Sequence, residues 1–139
     1  MRNNPNEIQQ VQANQQTSAV SFVSSYLWAL GITNSTIAFN SLHKEVIRHL
    51  STKISKEVFE TILTLVNERS WSRFNCILTV IVVCGNRLPG GKLFYQAKKL
   101  GAITVYPHDF YEQQRATDKL QAHVFAKAKL ISNQTNSAL

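Results

Sequence analysis

Acidic side chains are scarce in this chain, and between Arg69 and His108 there is none. Over 139 residues, eight Asp and Glu stand against fifteen Lys and Arg, a formal charge of +7. Chemistry that needs two carboxylates at one site has little material here. Neither Asp109 nor Asp118 has a neighbour that completes a catalytic acid–base pair. A nuclease built on an Asp and a Glu-x-Lys of adjacent strands would need acids in or beside residues 76–105, and none is present. What remains is a strand–helix–strand outline without its catalytic part, so no enzyme is expected.

Cysteine is equally sparse. Cys76 and Cys84 are the two cysteines. On one extended strand they lie about 26 Å apart at 3.3 Å per residue. A disulfide needs Cα atoms within about 7 Å, so both are expected as reduced core thiols. His43, His49, His108 and His123 show no metal-ligand spacing with one another or with the cysteines, and neither metal nor cofactor is expected. Long apolar runs are missing too. The longest, residues 76–84, falls far short of the roughly 18 that cross a bilayer. The opening MRNNPNEIQQVQANQQ carries no signal-peptide stretch. The expectation is a soluble cytoplasmic protein with no membrane partner.

What the chain does have is one domain's worth of core, at 44% hydrophobic residues. Residues 1–17 are rich in Asn and Gln and read as a flexible arm, residues 133–139 as a similar tail, and 18–132 as a single globular domain. Residues 18–30 place Val20, Val23, Leu27 and Leu30 at helical spacing, with Gly31 as C-cap. A second helix is predicted over 35–50 behind Asn34, with Ala38, Leu42, Val46 and Leu50 on one stripe. A third, over 56–68, starts at Ser55 with Glu57 in its first turn and Ile54 stapled to Phe59. Val58, Ile62, Leu65 and Val66 are its predicted core face.

The β-branched content of residues 76–84 predicts a strand buried on both faces. Residues 92–100 predict a short helix capped by Gly101, and 102–106 a second strand stopped by Pro107. Asp109 and Glu112 resemble a capping box opening a last helix to about Ile131, with Leu120, Val124 and Ala128 inward. The fold class is therefore α+β. An N-terminal three-helix cluster packs on a small sheet with the 76–84 strand at its centre, closed by a C-terminal helix. Two strands apolar on both faces make an incomplete sheet, to be completed by another strand or by a second subunit, so a homodimer is one expectation.

The loop Gly85-Asn86-Arg87-Leu88-Pro89-Gly90-Gly91-Lys92 joins the apolar run to the basic helix. A strand, a Gly-rich turn and a helix N-terminus offer amide N–H groups to an anion. It half-resembles a nucleotide-binding P-loop, but Gly91 stands where the Lys belongs and Leu93 gives magnesium no hydroxyl. The bland alternative is a tight corner without ligand, and for the acid-free stretch a solvated face. Helices two and three have helix-turn-helix spacing. However, Glu57, Glu60 and Glu68 on the outward face, beside Thr61 and Thr64, would oppose DNA phosphates. Aromatic and basic residues interleave at Trp71-Ser72-Arg73-Phe74 and Lys92-Leu93-Phe94-Tyr95, a base-stacking pattern. Their plainer role is packing, with Phe94 inward and Tyr95 or Trp71 at the core edge.

Pro89-Gly90, Phe94, Ala97 and Leu100-Gly101, followed by Phe110-Tyr111 and the long last helix, resemble small uncharacterised bacterial and phage domains of winged-helix type. The likeness covers about half the chain. It implies a small accessory or regulatory protein, as of a mobile element, without catalytic residues. From the charge pattern, the expected function is nucleic-acid binding, to DNA or RNA. Arg73, Arg87, Lys92, Lys98 and Lys99 would contact phosphates, with Gly90 and Gly91 letting the backbone approach. The alternative is an adaptor or inhibitor docking the same basic face on an acidic protein.

Overall fold

The computed structural model describes residues 5–137, with side-chain environments over 14–134. Five α-helices are present among them: α1 (Pro5–Ile32), α2 (Phe39–Leu50), α3 (Lys56–Phe74), α4 (Gly91–Leu100) and α5 (Phe110–Ser137). Two strands of two residues, β1 (Ile37–Ala38) and β2 (Val82–Val83), pair in parallel with Ile37 opposite Val82 and Ala38 opposite Val83. The chain is thus mostly helical around a small parallel sheet, compatible with α+β.

The long helices α1 and α5 pack on one another, and α1 also packs on α2 and α3. Val23, Leu27, Leu42, Val46, Phe59, Ile62, Val66 and Val124 form the fully shielded centre. On α3, Phe59 takes the inward position and Val58 stays exposed, against expectation. Ser55 caps α3 as anticipated, its hydroxyl accepting the Val58 amide at 3.1 Å. The Phe59 ring lies against His43 at 5.0 Å and edge-on to Phe39 at 4.9 Å. His43 Nε2 in turn lies 2.9 Å from the Ile54 carbonyl, tying α2 to the link before α3. The helix then runs on to Phe74, where Asn75 ends it in the left-handed region at φ 54°.

Three expectations change at α1 and α2. Gly31 lies inside α1 rather than capping it, because α5 crosses there and needs a residue without a side chain. The left-handed residue after α1 is Asn34, at φ 56°, so it closes one helix instead of opening the next. Residues 37–38 pair with β2, which delays α2 to Phe39 and leaves Ala38 exposed. The Asn/Gln-rich arm falls partly outside the described residues. From Pro5 its backbone is helical and continuous with α1. At the other end, α5 continues through 133–137, and 138–139 lie outside the described residues.

The largest correction concerns residues 76–84. They are buried from Cys76 to Val82, yet only Val82–Val83 is strand, and Leu78–Ile81 is a 3-10 turn. The cause is side-chain hydrogen bonding from two helices. Asn67 of α3 accepts the Thr79 amide at 2.9 Å and donates to the Thr79 hydroxyl at 2.7 Å. Ser70 donates to the Cys76 carbonyl at 2.6 Å and receives the Leu78 amide at 3.3 Å. Gln121 of α5 donates to the Val80 carbonyl at 3.1 Å. A buried segment whose backbone is satisfied this way has no need of a ladder partner. The second predicted strand, 102–106, is likewise absent. The amides of Ala102 and Ile103 fold back onto the Ala97 carbonyl at 2.8 and 3.4 Å, closing α4 behind Gly101 at φ 92°. Donors held by a helix end cannot join a sheet.

Candidate nucleic-acid interface

Helix α4 is amphipathic in the simplest way. Leu93, Phe94 and Ala97 are buried, while Lys92, Tyr95, Lys98 and Lys99 are exposed. Residues three, four and seven apart share a helical face, so Lys92, Tyr95 and Lys99 project together, with Lys98 flanking them. Lys98 and Lys99 make no ion pair among the described residues and occupy the last turn, where they also complement the negative helix end.

Lys92 differs. Its ammonium lies 2.6 Å from Glu60 Oε2 on α3, and the hydrogen bond and charge of that carboxylate hold it above its usual range. An acidic α3 face thus lies beside the basic α4 N-terminus. The cation expected to anchor a phosphate at the Gly-rich turn is already partnered.

Of the other predicted residues, Gly90 is the N-cap of α4 and Gly91 its first residue. Neither has an atom within 4 Å of where a Cβ would stand, so the turn is open to an approaching group. Arg87 is exposed and sits at φ 64° in a closed turn, where Cys84 N donates to Leu88 O at 2.8 Å and Arg87 N to Cys84 O at 3.0 Å. Arg73 belongs to a different element, the last turn of α3, and the structure records no contact that joins it to the α4 residues. The predicted set therefore divides. Gly90, Gly91, Lys92, Lys98 and Lys99 share one helix, Arg87 stands on the preceding turn, and Arg73 stands apart.

Of the aromatics, Trp71 and Phe74 are half-buried, and Phe74 meets Trp28 edge-on at 5.3 Å. Tyr95, expected at the core edge, is 68% exposed. It lies 4.6 Å from Tyr106, which lies 5.4 Å from His108. Phe110 and Tyr111 are exposed nearby in sequence, and the Arg115 guanidinium stands 5.6 Å from the Tyr111 ring centre. Sequence reading missed this cluster. Its one available signal was the alternation of aromatic residues with His108 and Arg115 across the start of α5.

A cavity of about 640 Å³ opens between α3, α4 and the Pro-Gly-Gly turn. Phe39, Leu63, Val82 and Leu93 supply its apolar wall, and Lys56 and Glu60 stand among its polar lining. Asn67 and Gln96, also in the lining, are bonded to one another at 2.8 Å. Among the described residues no group of three His, Cys, Asp or Glu could hold a metal ion, and no helix is long and apolar enough to cross a membrane.

The two thiols part company. Cys76 is buried, and that burial pushes its pKa up to about 11 against the opposing charge of Lys127. Cys84 is exposed, a correction to the expected pair of core thiols. A disulfide-exchange reagent at pH 8 should label one thiol quickly, and Cys84→Ala should remove that fast phase. At that pH the buried Cys76 stays almost entirely protonated and therefore unreactive. The folded chain holds the Cys76 proton to about pH 11 while the unfolded chain releases it near 9. Stability from this group is thus complete below pH 9 and falls as the pH rises toward 11. Two equally fast labelling phases would contradict the burial. No protein family, curated protein or solved structure matches this chain.

Proposed function

We propose that this chain is a small non-enzymatic nucleic-acid-binding protein, acting in the cytoplasm, whose phosphate contacts centre on the exposed face of α4. The observation that carries this reading is the pair Lys98 and Lys99, exposed and without an ion pair among the described residues, inside a stretch free of carboxylates from Arg69 to His108. Arg87 extends the charge along the preceding turn, and Gly90 and Gly91 leave room for a phosphate to reach the backbone. Lys92 joins only by leaving Glu60, so it contributes less than its position alone suggests. Arg73 is a peripheral contributor. In this reading α1, α2 and α3 form the N-terminal cluster, and α3 holds α4 against the core.

The test is fluorescence anisotropy with labelled DNA and RNA over a salt series. Lys98→Glu together with Lys99→Glu should weaken binding roughly tenfold at low salt and lower the salt slope by about one per residue. Both side chains are exposed, so the fold should survive. Unchanged affinity and slope would overturn the proposal. A second reading, docking on an acidic protein, is favoured by the exposure of Val105 (70%), Phe110 (58%) and Tyr111 (65%). Co-purification of a stoichiometric acidic protein with no retained nucleic acid would select it.

A further inference from the structure

We propose that Tyr95, Tyr106 and His108 form a platform on which bases of a single-stranded nucleic acid stack. This deepens the phosphate-binding reading of α4 and rests on it. Tyr106 is the fixed member of the row. The buried Phe94 meets it nearly perpendicular, at 6.3 Å and 84°, from the core side. Tyr95 leans on it at 4.6 Å and 35°, and His108 follows at 5.4 Å and 57°. Tyr95 is nevertheless 68% exposed. A ring held by a neighbour and still open to solvent can receive a base with little further loss of freedom. Such stacking contributes about five- to hundredfold in affinity for each base, whichever base it is.

The charges around the row match a polyanion. Lys98 and Lys99 follow Tyr95 by three and four residues and therefore flank it on the same helix face. Beyond His108, the Arg115 guanidinium lies over the exposed Tyr111 ring, a pair that also presents flat cationic surface to bases. Two of the nearby acids are occupied locally. Asp109 Oδ1 accepts the Glu112 amide at 2.7 Å, and Glu112 Oε2 accepts the His108 amide at 3.0 Å. Asp118, one turn past Arg115, bounds the strip at that end. A duplex hides its base faces within its own stack, so exposed rings beside lysines favour the unpaired strand. A protein ligand would use the rings but would need acids in place of phosphates.

The experiment compares three labelled probes on the full chain: an oligothymidylate of about a dozen nucleotides, an abasic strand of equal phosphate count, and a duplex of the same length. The wild-type protein should bind the oligothymidylate about tenfold tighter than the abasic strand. Tyr95→Ala should remove that preference and leave the abasic affinity unchanged, while Tyr95→Phe should retain it. Tyr95 is exposed, and a matching circular dichroism spectrum would show that the alanine variant is folded. Equal wild-type affinity for the base-bearing and abasic strands, or an undiminished preference in Tyr95→Ala, would overturn the platform. If that happens while Lys98→Glu with Lys99→Glu still weakens both strands, stacking falls and phosphate binding stands. If the wild-type protein binds none of the probes at low salt, both readings fall.

Discussion

Replacing Asn67 by Leu should destabilise the protein by about 3–5 kcal/mol and lower its Tm by roughly 10–15 °C. Asn67 is 2% exposed and holds the amide and hydroxyl of the buried Thr79 together with the half-buried Gln96 side chain. Its carbonyl oxygen receives the Thr79 amide, and its amide nitrogen donates to Thr79 Oγ1 and to Gln96 Oε1. Leucine fills a similar volume but orphans a buried backbone N–H, which alone costs about 1–3 kcal/mol. It also frees Gln96, whose other end bonds the Thr64 carbonyl and so holds α4 against α3. Thr79→Val is the matched control. It removes one hydroxyl and leaves the Thr79 amide bonded to Asn67, so its cost should be about 1 kcal/mol. Chemical denaturation of both variants would decide the matter. Equal costs would mean that Asn67 does not satisfy the irregular segment, and the account of why residues 78–81 are not strand would fail.

The second large effect is expected where α1 meets α5. A Cβ built on Gly31 would lie 2.9 Å from the Ala128 Cβ and 3.7 Å from Val124 Cγ1. Methyl groups do not approach so closely, so Gly31→Ala must push the helices apart. Overpacking costs about 1–3 kcal/mol, offset by up to about 1 kcal/mol from alanine's better helix propensity. Gly31→Val adds two methyls at the same crossing and should cost about 3 kcal/mol. Ala128→Gly, combined with Gly31→Ala, moves the missing methyl to the other helix and should recover most of the loss. A double-mutant cycle with no coupling between the two positions would show that the crossing is looser than the structure places it. Gly31 and Ala128 face one another on α1 and α5, whereas α4 packs on α3, so the nucleic-acid assays should be unaffected by the rescued pair.

By itself, the sequence determined those features whose causes are local. Ser55 followed by Glu57 starts α3 because the hydroxyl accepts the Val58 amide three residues on and the acid complements the positive helix end. Gly101 ends α4 because a left-handed residue costs glycine little, and the carboxylates of Asp109 and Glu112, which accept the Glu112 and His108 amides, open α5 within a few positions. The carboxylate-free stretch is a fact of composition. Tertiary structure decided whatever depends on partners far along the chain. The β-branched run at 76–84 carries strand propensity, but Asn67, Ser70 and Gln121 satisfy its backbone in place of a neighbouring strand. Its remaining two strand residues pair with 37–38, which helical periodicity assigned to α2. Glu60 neutralises Lys92 from 32 residues away, moving the free charge to Lys98 and Lys99. Tyr95 reads as a core-edge residue until the turn after α4 brings Tyr106 beside it, with His108 on Tyr106 in turn. Local signals act through a few bonds and can be read along the chain. These contacts exist only after the helices have packed, because burial, not spacing, selects the partner.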